Sequence, residues 1–378
     1  MTLALELAFW LAVGLLLYAQ FGYPLLLLAL ARLRRSGAVS PPVPAEQPPS
    51  VSLIVSAYNE QAVVAAKVAN ALALDHPRER LEVIVCCDGC TDRTAELARD
   101  AGADLVLELP RGGKVRAQDA GVARAGGELL AFSDANAFWE PDALRALLAP
   151  FADRRVGYVC GQVRFVGSGG TNQEGLYWRY EMALRELESR LASVTAGNGA
   201  IYATRASSYI EVDAVMGHDL CFPFNMVKRG WRAVYAPGAR ATERMVPTIE
   251  GEFARKRRMM SHAWPIVVRG GMLSPRGYGP LYALMIASHR VLRYASPLLH
   301  VVALAGSVAL AARSPVYLGA LLSQVALLAA AALGGRIRAR PLLLARYYVL
   351  TTAALAAGLW DWLRRGTPAG WEPAEGTR

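Results

Sequence analysis

The sequence predicts an α/β domain with a mostly parallel sheet, held between membrane-spanning helices at its two ends. Three observations predict it. From Val51 to Val163, short apolar runs of strand length alternate with stretches of helical spacing, the mark of strand–helix–strand units. On either side the chain becomes hydrophobic over lengths that cross a bilayer. Three aspartates, Asp88, Asp134 and Asp219, stand at or just past the ends of apolar runs, where a strand hands over to a loop. Ligands of such sheets bind at the carboxyl ends of the strands.

The first element runs from Leu7 to Leu30, almost wholly apolar, and is followed by Arg32, Arg34 and Arg35. That charge order is the reverse of a signal peptide's. Residues 1–35 therefore read as a retained anchor, with the polar block after it in the cytoplasm. Residues 36–50 carry Pro41, Pro42, Pro44, Pro48 and Pro49 and read as a stiff, non-helical linker. Strands are expected at Val51–Ala57, Leu81–Cys87, Leu105–Leu107, Glu128–Ser133 and Val156–Val163. Helices fall between them at Glu60–Leu74, Thr91–Ala101, Lys114–Ala125 and Pro141–Pro150. Thr91 or Asp92 suits the cap of the second, and Pro141 is tolerated at the start of the last. Thr171–Leu191 mixes Glu and Arg and reads as a helix with a solvated charged face.

The polar block ends near Gly270. An interfacial segment is expected at 271–294, with Arg290 and Arg293 facing headgroups. Apolar spans at Ser296–Ala312, Val316–Leu333 and Leu342–Trp360 fill residues 295–362, before a tail at 363–378. The basic loop of Arg336, Arg338 and Arg340 belongs inside. An odd number of spans places the tail outside, whereas Arg364 and Arg365 favour the inside.

Hydrophobic residues make up 54% of the 378 and mean hydropathy is +0.24, high for a soluble protein. The net charge of +10 is almost all arginine; the lysines are Lys67, Lys114, Lys228 and Lys256. This charge gathers beside the hydrophobic spans, which fits membrane orientation and attraction to anionic lipid. No pattern for reading RNA or DNA accompanies it, so no nucleic-acid partner is expected. Among the five cysteines, Cys87 and Cys90 have a metal or redox spacing. No second pair completes it, and they read as small buried hydrophobes.

Six motifs carry chemistry. Ala57-Tyr58-Asn59-Glu60 follows the first strand, where a turn lets a flat base approach the backbone. Asp88-Gly89-Cys90-Thr91-Asp92 follows the second. Asp88 there suits a base N–H or a ribose hydroxyl, or the capping of a turn. Arg111-Gly112-Gly113-Lys114 opens a helix, and backbone N–H groups with a lysine favour a diphosphate. It lacks the spacing and following hydroxyl of an ATPase loop, and no Gly-x-Gly-x-x-Gly follows the first strand, which argues against a nicotinamide enzyme. Asp134-Ala135-Asn136 sets two oxygen ligands two residues apart, suited to Mg²⁺ or Mn²⁺ completed by phosphate and water. His218-Asp219 holds a carboxylate able to act as general base to a hydroxyl. Arg255-Lys256-Arg257-Arg258 suits either a departing diphosphate or lipid headgroups.

In this order and spacing, the motifs resemble those of the membrane-bound family 2 glycosyltransferases, inverting enzymes with a GT-A fold. The resemblance covers roughly Val51 to Trp264 and extends to the flanking spans. Tyr58-Asn59-Glu60 matches the family's Tyr-Asn-Glu. Asp88–Asp92 matches its Asp-Gly-x-x-Asp, whose first Asp binds the base, and Gly113-Lys114 matches its donor-binding Gly-Gly-Lys. Asp134 matches the Asp-x-Asp metal motif, with Asn136 replacing the second member. Asp219 matches the base of an acidic pair whose first member is here His218. Lys228–Arg232 through Ala236-Pro237 is similar to the family's next stretch. The Gln-x-x-Arg-Trp of processive synthases is not kept: Arg255–Met259 stands there, only Arg258 matches, and Trp264 is out of register.

The resemblance implies a GT-A domain at 51–270 in a multi-pass inner-membrane protein, its catalytic side in the cytoplasm. It implies donor binding by Ala57, Tyr58, Asn59, Glu60, Asp88, Lys114, Asp134, Arg255 and Arg258. Asp134 and Asn136 would hold a divalent metal, and Asp219 would be the catalytic base. The implied reaction moves a sugar from a nucleoside diphosphate, UDP above others, to a membrane lipid or lipid-linked glycan in envelope or polysaccharide synthesis. A processive synthase that extrudes its polymer is the alternative, and a degenerate membrane scaffold is a second.

Overall fold

The computed structural model describes residues 2–33, 47–166, 173–244 and 249–368. Most of the expected linker and the end of the tail lie outside the described residues. One eight-stranded sheet organises the polar block. Its strands are β1 (Val51–Ala57), β2 (Leu81–Asp88), β3 (Leu105–Leu109), β4 (Leu129–Asp134), β5 (Phe138–Trp139), β6 (Val156–Val166), β7 (Ile201–Arg205) and β8 (Arg232–Arg244). They lie in the order β3-β2-β1-β4-β7-β6-β8-β5. The first four strands in that order run parallel, with Ser56 beside both Cys86 and Asp134. β7 then pairs antiparallel with β4 and β6, and β6 runs parallel to β8.

The sequence predicts β1 to β4 and β6; of these, β1, β2 and β4 are buried along nearly their whole length and are largely apolar. β5, β7 and β8 carry no such signal. β5 is two residues long, β7 ends in Thr204-Arg205, and β8 contains Pro237 and Gly238, so none offers a clean apolar run.

The helices are α1 (Thr2–Leu33), α2 (Val64–Leu72), α3 (Thr94–Asp100), α4 (Lys114–Val122), α5 (Ala143–Leu148), α6 (Gln173–Leu191), α7 (His218–Lys228), α8 (Ile249–Val268), α9 (Pro280–Tyr294), α10 (Ser296–Leu310), α11 (Pro315–Leu333) and α12 (Arg340–Arg365). The cap position of α3 is Arg93, without a side-chain bond; Asp92 precedes it and its Oδ1 accepts from Thr94 N at 3.0 Å in an Asx turn. Among the described residues α1, α11 and α12 are each long and apolar enough to cross a membrane. The pair α9–α10, bent by 62°, makes a fourth if taken as one span.

Two expectations need correcting. The charges of α6 are only partly solvated: Arg179, Glu186 and Arg190 form an exposed face, whereas Glu181, Arg185 and Glu188 are buried. Arg290 and Arg293 do not face headgroups. Arg290 is buried and donates to Thr195 Oγ1 at 2.9 Å, and Arg293 pairs with Glu181. An isolated buried charge is costly, so these groups find each other instead of lipid. The expected last span, α12, also lies along the charged helix α8. Lys256 Nζ donates to Tyr347 Oη at 2.5 Å, and Arg257 meets Asp361 through two bonds of 2.6 and 2.7 Å. Gly358 permits the approach, since a Cβ there would meet Met260 Cβ at 2.6 Å and Arg257 O at 2.8 Å. Beyond α12, Thr367 Oγ1 donates to Ser261 O at 2.6 Å.

Candidate active site

The carboxyl edge of the parallel strands collects the predicted motifs. Ala57 ends β1, and Tyr58-Asn59-Glu60 turns away from it. Asn59 has φ 51°, a left-handed conformation that Asn tolerates. Its Oδ1 accepts from Thr91 N at 2.9 Å, and Thr94 Oγ1 meets Glu60 N at 2.7 Å. The turns after β1 and β2 are thus laced together. Cys90 belongs to this lacing: Asn59 N donates to its Sγ at 3.4 Å. The bond to Cys87 brings the Cys90 thiol down to about 7.

Asp88 is buried at the end of β2. Its Oδ1 accepts from Gly112 N at 2.6 Å and Gly113 N at 3.0 Å, and its Oδ2 accepts from Arg111 Nη1 at 3.0 Å. Gly113 has φ 94°, so glycine is needed there for the turn to form. The carboxylate offered by the sequence to a base therefore first shapes the turn that presents Lys114. The guanidinium of Arg111 lies over the Tyr58 ring, 3.3 Å from its centroid. Arg111 and Tyr58 form one flat wall beside Asp88.

Lys114 joins the two halves of the site. Its Nζ pairs with Asp134 and donates to Gly199 O at 3.2 Å. Gly199 belongs to a loop, Gly197-Asn198-Gly199-Ala200, that enters β7. A Cβ on Gly199 would lie 3.4 Å from Lys114 Nζ and 3.8 Å from Asp219 Cβ. A Cβ on Gly217 would lie 2.8 Å from Asp219 Oδ1. Asp219 sits in the first turn of α7 with glycine on two sides, which leaves room for an incoming group. Gly197 N donates to Asp219 O at 2.6 Å, tying loop and helix together. Trp139 Nε1 donates to Ala200 O at 3.2 Å, and Arg185 Nη2 to Gly197 O at 2.9 Å.

His218 does not point into the cleft. It is buried, shares a 2.8 Å hydrogen bond with Tyr202 Oη, and stacks on Phe222 at 4.1 Å. Burial, helped by the charge of Lys114, brings its pKa down to about 3, so it is neutral near pH 7. The residue in the place of the acidic pair's first member is thus a core anchor behind Asp219.

Two groups that sequence reasoning missed sit beside Asp134. Lys67 on α2 is fully buried, and its Nζ donates to Ala137 O at 2.6 Å, holding the Asp134–Asn136 loop from below. Burial lowers it to about 7 against the pull of Asp134 and Glu243. Phe138 pairs with Thr242 in the ladder, which sets Glu243 of β8 opposite Ala137. Burial and the charge of Asp134 raise Glu243 to about 7, while Lys114, Arg255 and Lys67 oppose the rise. A lone lysine at helical spacing and a glutamate in an unrecognised strand give no signal in sequence.

A carboxylate and an amide oxygen in the 134–136 loop suit a hard cation completed by phosphate and water. Among the described residues no group of three or more His, Cys, Asp or Glu forms a closed metal site. Arg255 reaches the edge of this region. It is held by Glu252 through two 2.7 Å bonds and lies over Phe165. Arg258 lies one turn further along α8, where its carbonyl accepts from Ser261 Oγ at 2.7 Å.

A family model described as glycosyltransferase like family 2 matches residues 48–261, more than half of the chain. The chain belongs to glycosyltransferase family 2. An N-acetylglucosaminyltransferase of Rhizobium meliloti is 28% identical over 221 residues, covering 52% of each chain. The poly-beta-1,6-N-acetyl-D-glucosamine synthase of Staphylococcus aureus is 22% identical, over 65% of this chain and 62% of its own. This glycosyltransferase thus spans only part of the length of the curated relatives it matches, 52% and 62% of these two. The solved mannosyltransferase of Pyrobaculum calidifontis, bound to GDP-Man and Mn²⁺, superposes with a TM-score of 0.72 at 24% identity. It covers 95% of this chain and 99% of its own. That likeness shows a GT-A fold carried together with its flanking helices.

Proposed function

We propose that this glycosyltransferase moves a sugar from a nucleoside diphosphate, with inversion, to a hydroxyl of a membrane lipid or lipid-linked glycan. The observation that carries the reading is the meeting of Lys114, Asp134 and Asp219 around Gly199. The Tyr58–Arg111 wall and Asp88 form the base end. Lys114 faces the diphosphate, and the carboxylate of Asp219 takes the proton of the attacking hydroxyl. Asp134 and Asn136 would hold a divalent cation, Mg²⁺ or Mn²⁺, which offsets charge on the diphosphate when bound. Lys67 keeps their loop in place. Arg255 adds positive charge at the leaving-group side, and Arg258 stands behind it on α8. The apolar helices support an acceptor held in the bilayer, with the domain on the cytoplasmic face of the inner membrane. The bond from Thr367, just past α12, to Ser261 of α8 supports a cytoplasmic side for the start of the tail.

The test incubates membranes containing the protein with UDP- and GDP-sugars, measures released nucleotide, and sizes the product. Release from one donor with a single sugar added to a lipid-extractable acceptor supports the reading. A ladder of products means a processive synthase, and no release with any donor means a scaffold. Chelation by EDTA should abolish release, and Mg²⁺ or Mn²⁺ should restore it.

A further inference from the structure

Residues 194 and 195, just before the Gly197–Gly199 loop, are gripped from the membrane side. Tyr282 Oη of α9 donates to Val194 O at 3.0 Å. Thr195 N and Oγ1 donate to Glu188 Oε2 at 3.2 and 3.0 Å, and Arg290 Nε donates to Thr195 Oγ1 at 2.9 Å. The other oxygen of Glu188 accepts from Tyr23 Oη of α1 at 2.5 Å and lies 2.6 Å from His289 Nδ1. Glu188 is 0% exposed, so each of these partners counts: a buried carboxylate must find all its donors in the protein. Two residues further on, Gly197 N donates to the carbonyl of Asp219, and Gly199 O receives Lys114. The chain from 194 to 199 is thus a short bridge, with membrane-side helices at one end and the reactive groups at the other.

We infer that Thr195, fixed by Glu188 and Arg290 and assisted by Tyr282 at Val194, is a positioning residue that sets the Gly197–Gly199 loop, and through it Asp219, from the membrane-side helices. The inference rests on the glycosyl-transfer reading of the site. It assigns the cluster no contact with substrate. Glu188 of α6 and Arg290 of α9 then serve one purpose, to fix the loop against α1 and α9 at a distance from the nucleotide.

The experiment compares Thr195→Val, which keeps the shape but loses the hydroxyl, with Thr195→Ser, which keeps the hydroxyl. Full-length protein in membranes is assayed for nucleotide release, with nucleotide affinity measured separately on the same preparations. Thr195→Val should lower kcat about tenfold, the size expected for a small misplacement of a reacting group. Its nucleotide Kd should stay within about twofold of wild type, and Thr195→Ser should stay within about threefold in both quantities. Tyr282→Phe removes only the hydroxyl that holds Val194, and should lower kcat about threefold in the same pattern; it decides the matter if Thr195→Val does not fold. An active wild type with equally active Thr195→Val and Tyr282→Phe overturns this inference alone. Equal loss of nucleotide binding and turnover also overturns it, because the cluster would then be a general structural support. A wild type that releases no nucleotide from any donor overturns the glycosyl-transfer reading, and this inference with it.

Discussion

Asp88 and Glu188 are both buried carboxylates, and they are satisfied in opposite ways. The partners of Asp88 come from one turn, Arg111 to Gly113, at the end of the neighbouring strand β3. Those of Glu188 come from α1, from α9 and from the bridge before β7, up to 165 residues away. The first arrangement is local to the sheet edge and serves the donor end. The second joins the catalytic domain to the membrane-side helices. The difference shows why one end of the protein reads as a motif, while the other reads only as scattered charge.

The comparison can be broken at several points. The largest effect belongs to Asp219, which stands between the two regions. Asp219→Asn should lower turnover by roughly 10²–10⁴, the usual worth of a general base, and leave nucleotide binding intact. Full release of nucleotide by that variant would remove Asp219 from the mechanism.

Next comes Glu188→Ala, which leaves Arg290 and His289 buried without their carboxylate. A loss of about 3–5 kcal/mol in stability is expected. Thermal unfolding in detergent measures it, and an unchanged midpoint would mean that the network stabilises nothing.

Asp88→Ala should sharpen the contrast. Arg111 and two backbone N–H groups lose their acceptor close to solvent, so the cost is smaller, about 1–3 kcal/mol. It should appear as weaker nucleotide binding in titration calorimetry, with the unfolding midpoint moving less than in Glu188→Ala. The reverse order would sink the distinction between the two regions.

The smallest effect is the pH response of His218. Its pKa falls from an ordinary 6.5 to about 3 in the folded chain, mainly through burial and further through Lys114. Below about pH 6.5 the unfolded chain takes up a proton that the folded chain refuses until near pH 3. Stability is therefore full above 6.5 and declines as pH falls through this window, by at most about 1.4 kcal/mol per pH unit. His218→Gln should flatten the fall in unfolding midpoint between pH 7 and pH 5.5. Parallel curves for the two proteins would show that His218 takes no part.

Much of the donor half was legible because its signals are local. A strand covered on both faces must be apolar along its whole length, so β1, β2 and β4 announce themselves. A turn after such a strand must use Asp, Asn and Gly, so Asp88, Asp134 and the Gly112-Gly113 pair stand out. The other half hid for equally physical reasons. β7 and β8 alternate or break, α7 begins with a histidine whose burial no periodicity marks, and Lys67 looks like any helical lysine.

By itself, the sequence determined which residue types stand at the strand ends, where the apolar helices lie, and to which family the motifs point. Each of these follows from composition and spacing over a few residues. Only the tertiary structure decided that Asp88 first holds its own loop, that His218 faces the core, and that α12 lies along α8. Only the structure, too, showed that the charges of α6 and α9 neutralise one another. The reason is that a buried charge is tolerable only beside its partner, and no local rule says which distant residue that partner will be.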